Sequence, residues 1–141
     1  EFNLLKDPDD LPRRMFDADF AVSATGSTVY ELLATGTPVI GIPQSQNQEK
    51  ISMALSSHDA VLHFFPGKRG MQSGDHDASS QVNLISFNTG ELRQGIKRRI
   101  SELANNVSRR RELRKTGMNL VDAEGPRRLC EKLSDLPAPN S

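Results

Sequence analysis

Short apolar runs alternate with helix-spaced segments in the first half of the chain, and this alternation constrains the fold more than any other feature. The runs lie at 19–23, 39–42 and 61–65, and apolar residues at helical spacing follow the first two. Strand, helix, strand, helix, strand at these lengths is typical of βαβ units. Because crossovers between parallel strands are right-handed, the loops after the strands should share one sheet edge. The pattern predicts a Rossmann-like α/β domain of three layers with a parallel sheet.

Turn residues and helical spacing set the boundaries of the two crossover helices. The first helix is expected to begin near Ser27, with Gly36 at its C-terminal end and Pro38 just beyond. The second helix is expected over 47–55. The apolar residues predicted on its buried face are Ile51, Ala54 and Leu55.

The second half of the chain is predicted to be a long flexible loop followed by helices. Residues 66–83 are rich in Gly, Ser, Asp and Lys and lack periodicity, which is typical of a loop. A helix is expected to begin near Gly90 or Glu91, with Ser86 or Asn88 as its cap. Two more helices follow, marked by Leu113 and Met118 in the first and by Gly125 and Pro126 at the start of the second.

The ends of the chain indicate a piece of a longer protein. The chain begins at Glu1, and a strand-like segment at 2–5 follows at once with no leading element. We expect one domain over 1–136, which is long enough to bury a core, and a frayed tail over 137–141.

Composition narrows the class of protein. The 18 basic and 18 acidic residues balance, so the net charge gives no indication of nucleic-acid binding. One cysteine, Cys130, rules out an internal disulfide, and its place in an apolar helical stripe predicts a buried structural thiol. No apolar run approaches the roughly 20 residues that span a membrane, and no signal peptide is recognisable. We therefore expect a cytoplasmic protein.

A small-residue turn between the first strand and the first helix carries the strongest functional signal. Gly26 allows a ligand to approach the backbone, and Ser27 and Thr28 add hydroxyl donors. The first N–H groups of a helix lack partners and the helix dipole adds positive charge there, so this turn suits a diphosphate. An ordinary strand-to-helix turn with Ser27 or Thr28 as N-cap explains the same residues.

Two further features are expected near this turn. Glu31 lies about one helical turn later, where its carboxylate can accept hydrogen bonds from ribose hydroxyls; a solvated surface glutamate is the alternative. The polar loop at 43–48 follows the second strand, so it should reach the same sheet edge. Its amides can donate to and accept from a hydroxyl-rich ligand, and a polar loop with Asn47 as helix cap is the alternative.

These residues together resemble the C-terminal domain of glycosyltransferase family 28. The resemblance is carried by ADFAVSATGSTVYE at 18–31, GTPVI at 36–40 and PQSQNQ at 43–48. It covers about 11–55, with a looser match at 121–128. Two branches are similar: the N-acetylglucosaminyltransferase of peptidoglycan synthesis, and the nucleotide-sugar hydrolase of pseudaminic acid synthesis with its spore-coat relatives. A Gly-Ser-Thr turn, a glutamate three residues later and an Asn-Gln pair are typical of the second branch.

The resemblance implies the C-terminal half of a GT-B glycosyltransferase that binds a UDP-sugar donor for hexosyl transfer. It implies that the Gly26 turn holds the diphosphate, that Glu31 holds the ribose, and that Asn47 and Gln48 meet the sugar or its phosphate. Thr25 stands where the family often has a second glycine. The predicted binding residues are Thr25, Gly26, Ser27, Thr28, Glu31, Gln44, Asn47 and Gln48. The alternatives are a nucleotide-sugar hydrolase and a non-catalytic donor-binding subunit of a split transferase.

Catalytic residues stay unassigned because the family's N-terminal domain usually supplies the base and the acceptor site. We expect that domain, or a partner subunit, to complete the enzyme. The three histidines, His58, His63 and His76, lack metal-ligand spacing, and the family implies transfer without a metal or a further cofactor.

Basic residues accumulate near the end of the chain. Between Glu91 and Lys132 there are twelve basic and six acidic residues, an excess of six. Peripheral attraction to an anionic membrane, at its inner face, is one interpretation, and solvated helix faces are the other. Aromatic residues do not interleave with this stretch, so stacking on nucleic acid has no support.

Overall fold

The chain folds into short strands and helices of mixed α/β class. The structure is a computed structural model that describes residues 3–64, 70–71, 85–86 and 89–135. The described elements, in chain order, are α1 Leu11–Asp17, β1 Ala21–Ser23, α2 Thr28–Ala34, β2 Val39–Gly41, α3 Gln46–Ser57, β3 Val61–His63, β4 Gly70–Met71, β5 Ile85–Ser86, α4 Thr89–Asn105, α5 Val107–Leu120 and α6 Gly125–Ser134.

The central sheet is parallel, with the strand order β1-β2-β3. Its register pairs Ser23 with Gly41 and Gly41 with His63, so the last residues of the three strands stand side by side. We call this row of strand ends the carboxyl edge. The α/β class and the parallel sheet expected from the sequence are confirmed, and the loops after β1 and β2 leave from the same edge.

Helices cover both faces of the sheet. One apolar cluster lies beneath α1, α2 and α3, and its fully buried members include Val29, Leu33, Val39 and Val61. The other lies beneath α4 and α5, and its buried members are Ile40, Leu62, Phe64, Leu103 and Leu113. Consecutive residues of β2 and β3 point to opposite clusters, as the pleat of a strand requires. The layers are therefore helix, sheet, helix.

The predicted end of the first crossover helix is confirmed. Gly36 has φ +76°, a left-handed conformation that favours glycine. Its N–H donates to the Leu33 carbonyl at 3.0 Å, and the Thr37 N–H donates to the Leu32 carbonyl at 2.8 Å. This turn directs the chain back into β2, next to β1.

Some sequence predictions near the start of the chain and in α3 are wrong. Residues 3–5 form no strand, and the first described element is α1, which buries only Met15 and so gives almost no periodic signal. Ala54, predicted on the buried face of α3, is exposed, and Ser52 is buried there instead. Ser52 lies one turn before the buried Leu55, so it shares that face in spite of its polarity.

The predicted long loop contains a strand. Gly70–Met71 within 66–83 pairs antiparallel with Ile85–Ser86, so Ser86 belongs to a strand and does not cap α4. The other residues of 66–83 lie outside the described residues, as do Asn88 and the predicted tail over 137–141.

Cys130 is exposed, so the prediction of a buried thiol is wrong. None of the residues of α6 is buried, because this helix packs against no other described element to a substantial extent. Within the described ranges, no helix has the length and apolar character needed to cross a bilayer.

An ion pair joins the turn before β3 to α5. Asp59, with φ 58°, accepts two hydrogen bonds from Arg109, at 2.6 and 3.1 Å. Asp59→Asn tolerates the same backbone conformation and removes the charge, so we expect it to lower the free energy of unfolding by about 0.5 kcal/mol at pH 7.

The effect of Asp59→Asn should depend on pH in a defined direction. The hydrogen bond from Arg109 lowers the pKa of Asp59. The stabilisation is therefore complete above the ordinary aspartate pKa and is lost as the pH falls through the lowered value, so the stabilities of the variant and the original chain should approach each other in acid. Urea unfolding across a pH series from 7 into the acid range measures this, and a difference that stays constant across the whole series would exclude the ion pair as its source.

Candidate functional site

Two turns meet at the carboxyl edge, and each leads into a helix. Residues 24–27 connect β1 to α2, and residues 42–45 connect β2 to α3. Since β1 and β2 are parallel neighbours, both helices begin at the same edge. Helix N-termini carry partial positive charge and unpaired N–H groups, so this edge favours anions.

Thr25 holds the two turns together. Its side chain is completely buried, and its hydroxyl donates to the backbone carbonyl of Gln48 at 2.7 Å. Its methyl group lies over Gly41, where a Cβ atom would approach Thr25 Cγ2 to 2.7 Å. Because the whole residue is buried and its hydroxyl proton is used within the protein, Thr25 supports the turn from the inside and exposes no atom to a ligand.

The start of α2 leaves backbone donors free. In the described part of the chain, nothing accepts the N–H groups of Gly26, Ser27 and Thr28. Ser27 stands at the N-cap position, as the alternative of an ordinary turn expects, but its side chain makes no capping hydrogen bond. The side chains of Ser27 and Thr28 are exposed, and their hydroxyls are open to a ligand.

Gln48 is oriented toward this turn by its own loop. Its Oε1 accepts the Gln44 N–H at 2.9 Å, which leaves Nε2 as the free end of the amide. A Cβ atom placed on Gly26 would lie 3.6 Å from that Nε2. The amide donors of Gln48 therefore face the space in front of Gly26, where the free N–H groups of α2 begin.

The start of α3 is capped by Ser45. The Ser45 hydroxyl accepts the Gln48 N–H at 3.4 Å, so the alternative in which Asn47 is the cap is wrong. Asn47 is exposed, and its side chain has no hydrogen-bond partner among the residues described. The exposed side chain of Gln44 likewise has no hydrogen-bond partner among the described residues, so the side-chain amides of Asn47 and Gln44 are both available to a ligand.

Glu31 stands on the same side of α2 as the free donors. It follows Ser27 by four residues and Thr28 by three, which places the three side chains on one helical face. Glu31 is exposed, and within the described chain it forms no ion pair. Its predicted role as a ribose acceptor stays a prediction.

The structure places two residues near this edge, Ser52 and His63, that the sequence analysis did not assign to the site. Ser52 Oγ lies 2.7 Å from His63 Nδ1, at the end of β3 on the same carboxyl edge. Burial lowers the pKa of His63, Glu49 opposes that effect and Arg99 adds to it, so the imidazole is neutral near pH 7. Ser52 lies one turn after Gln48 in α3, and its contact with His63 fixes that helix against β3.

Two cavities of the described chain lie away from the carboxyl edge. An open groove of about 740 Å³ runs along α4, and a cleft of about 240 Å³ lies between α1 and α5. Neither is lined by a predicted site residue. Across the described ranges, no three His, Cys, Asp or Glu side chains are grouped so that they could hold a metal ion.

Comparison with known proteins leaves the family open. No family model matches the chain, and no match is found among curated proteins or solved structures. The paired helix N-termini at the carboxyl edge are therefore the observation on which a function for this chain rests.

Proposed function

We propose that the chain binds the nucleotide-sugar donor of a glycosyltransferase, a UDP-sugar, as the C-terminal half of a GT-B fold. The observation that supports this most is the pair of helix N-termini held side by side by the hydrogen bond from Thr25 to Gln48. Free N–H groups in the field of two helix dipoles favour the two phosphates of a diphosphate. In open parallel sheets, ligands bind outside the carboxyl ends of the strands, which is where these turns lie.

Each part of the donor would meet a different group of side chains. The diphosphate lies against Gly26, Ser27 and Thr28, and the ribose hydroxyls donate to Glu31. The sugar is held by the amides of the second turn, which are Gln44, Asn47 and Gln48. Gln48 is the best placed of these because its Nε2 already faces Gly26.

Transfer at the anomeric carbon breaks the bond to the diphosphate, and negative charge then develops on the leaving oxygen. The N–H groups of α2 would stabilise this charge without reorganising, so no metal ion is required in the proposed reaction. The acceptor site and the base would come from an N-terminal domain or a partner subunit. A nucleotide-sugar hydrolase or a donor-binding subunit would bind the donor through the same residues of the carboxyl edge.

Titration calorimetry tests the donor site directly. With UDP, UDP-N-acetylglucosamine, GDP and ADP and no added metal, we expect binding of the two uridine ligands. Ser27→Ala/Glu31→Ala removes two exposed side-chain groups that make no hydrogen bonds to the described residues, so the fold should persist while affinity for UDP falls about tenfold or more. Unchanged affinity in the folded variant would remove Ser27 and Glu31 from the site.

Gly26→Ala should weaken UDP binding about tenfold with little effect on stability. Among the described residues the new methyl group meets only Gln48 Nε2, at an ordinary contact distance of 3.6 Å, so none of them has to move. It would nevertheless occupy the space through which a phosphate reaches the free N–H groups.

Gly125→Ala is the matched control for Gly26→Ala. A Cβ atom there has nothing within 4 Å, and Gly125 lies at the start of α6, away from the carboxyl edge. Equal UDP affinities in the two variants and the original chain would place the ligand somewhere other than in front of Gly26.

A further inference from the structure

Helix α6 presents an apolar stripe that no other described element covers. Leu129, Cys130 and Leu133 lie at positions i, i+1 and i+4, so they share one side of the helix. Leu129 is 58% exposed and Leu133 is 57% exposed, and none of the 10 residues of α6 is buried. Isolated helices of this length are marginal in water, so the stripe indicates a surface that α6 packs against.

Cations border the stripe on both sides. At 100° per residue, Lys132 and Arg127 each lie about 110° from the centre of the stripe, on opposite flanks. The acids Glu124 and Glu131 lie on the far side of the helix and pair with Arg127, at 2.6 and 2.5 Å. Lys132 has no ion-pair partner in the described chain. The charges nearest to the leucines are therefore positive.

The exposed ridge of α5 has the same chemistry. Arg111, Lys115 and Met118 lie at i, i+4 and i+7, on the side of α5 away from the buried Leu113 and Gly117. Met118 is 45% exposed, and neither cation of the ridge has an ion pair within the described ranges. Only the turn at 121–124 separates α5 from α6.

We propose that α6 and the ridge of α5 bind the surface of an anionic bilayer. In this arrangement α6 lies in the interface with Leu129 and Leu133 among the acyl chains. Lys132, Arg111 and Lys115 meet the lipid phosphates. Apolar residues bordered by Lys and Arg are what an interfacial helix requires, and each cation near the surface adds to binding.

A second copy of the chain fits the stripe less well. If two α6 helices paired through their leucines, the cations on both flanks of each stripe would face those of the other copy, and like charges would oppose the contact. The lipid surface offers the opposite charge. This proposal is independent of donor binding, which takes place at the carboxyl edge.

Co-sedimentation with vesicles tests the proposal. We expect binding to vesicles of equal parts phosphatidylcholine and phosphatidylglycerol, little binding to phosphatidylcholine alone, and release at high salt. Leu129→Ser/Leu133→Ser should lower the partition coefficient about tenfold. Lys115→Glu should lower it several-fold, whereas the matched charge reversal at the exposed Lys50 of α3, Lys50→Glu, should leave it near the original value.

Three results would overturn the lipid assignment. The first is the absence of binding to anionic vesicles, and the second is equal binding to neutral ones. The third is a concentration-dependent dimer that Leu129→Ser/Leu133→Ser abolishes, which would assign the stripe to a second copy. Because the substituted side chains are exposed, circular dichroism should show a retained fold, and UDP titration of the same variants reports separately on the donor site.

Discussion

Gly41→Ala is expected to lower the free energy of unfolding by about 3 kcal/mol. Gly41 ends β2 at the centre of the carboxyl edge, and a Cβ atom there would lie 2.7 Å from Thr25 Cγ2, 2.9 Å from Val61 Cγ1 and 3.0 Å from Ser52 Oγ. All three neighbours are short, buried side chains on different elements, so none can move aside alone. The free-energy cost of overpacking and the cost of losing the Thr25 and Ser52 hydrogen bonds should add together.

Urea unfolding measures this effect, with Gly125→Ala as the control for the same chemical change. The control should be neutral or slightly stabilising, because its new methyl group meets nothing and alanine is the better helix former. If Gly41→Ala unfolds within about 1 kcal/mol of the original chain, the packing of the two turns against β2 is looser than the structure shows.

Local sequence patterns are sufficient to locate the strands of the central sheet. The runs around Val22, Ile40 and Leu62 are bounded by turn residues, and β2, the central strand, is buried on both faces, so its apolar character is continuous and easy to recognise. Gly36 and Pro38 mark a turn whose backbone geometry depends on nearby residues alone. The order β1-β2-β3 does not follow from the sequence, because right-handed crossovers are compatible with more than one order of three parallel strands.

Burial of single side chains could not be predicted in the same way, because it depends on which elements meet. Ser52 is buried since it reaches His63 on β3, whereas Ala54 on the same helix faces solvent. Cys130 lies in a regular apolar stripe, but no described element packs on that stripe. Helical spacing identifies which residues share one face of a helix, but it does not show whether another element packs against that face.

In the candidate site, too, the sequence predicts which segments take part but not the contacts of single side chains. Its small residues and amides were identified from the turn at Gly26 and from the polar loop that contains Gln48, and the structure brings these two segments together. The role of Thr25 was not predictable, because its hydroxyl acts on a carbonyl 23 residues away. The sequence alone does not show whether a threonine in a small-residue turn points toward a ligand or into the protein.

Thr25→Val should lower stability by about 1–2 kcal/mol and weaken UDP binding about tenfold. Valine has nearly the same shape and keeps the packing over Gly41, but it removes the donor that joins the β1–α2 turn to the Gln48 carbonyl. The start of α3 is then free to move away from that of α2. A site that depends on two helix ends in register should lose affinity even though no ligand-facing group has changed.

Thr25→Ser separates the two contributions of this residue. Serine keeps the hydroxyl and loses the methyl group over Gly41, so its stability should fall by about 1 kcal/mol while UDP affinity is retained. Urea unfolding and UDP titration of both variants show whether the hydrogen bond to Gln48 or the packing over Gly41 aligns the two helices. If the valine and serine variants lose affinity equally, packing over Gly41 and not the hydrogen bond to Gln48 aligns the helices. If neither loses stability, the two turns are held together by contacts other than Thr25.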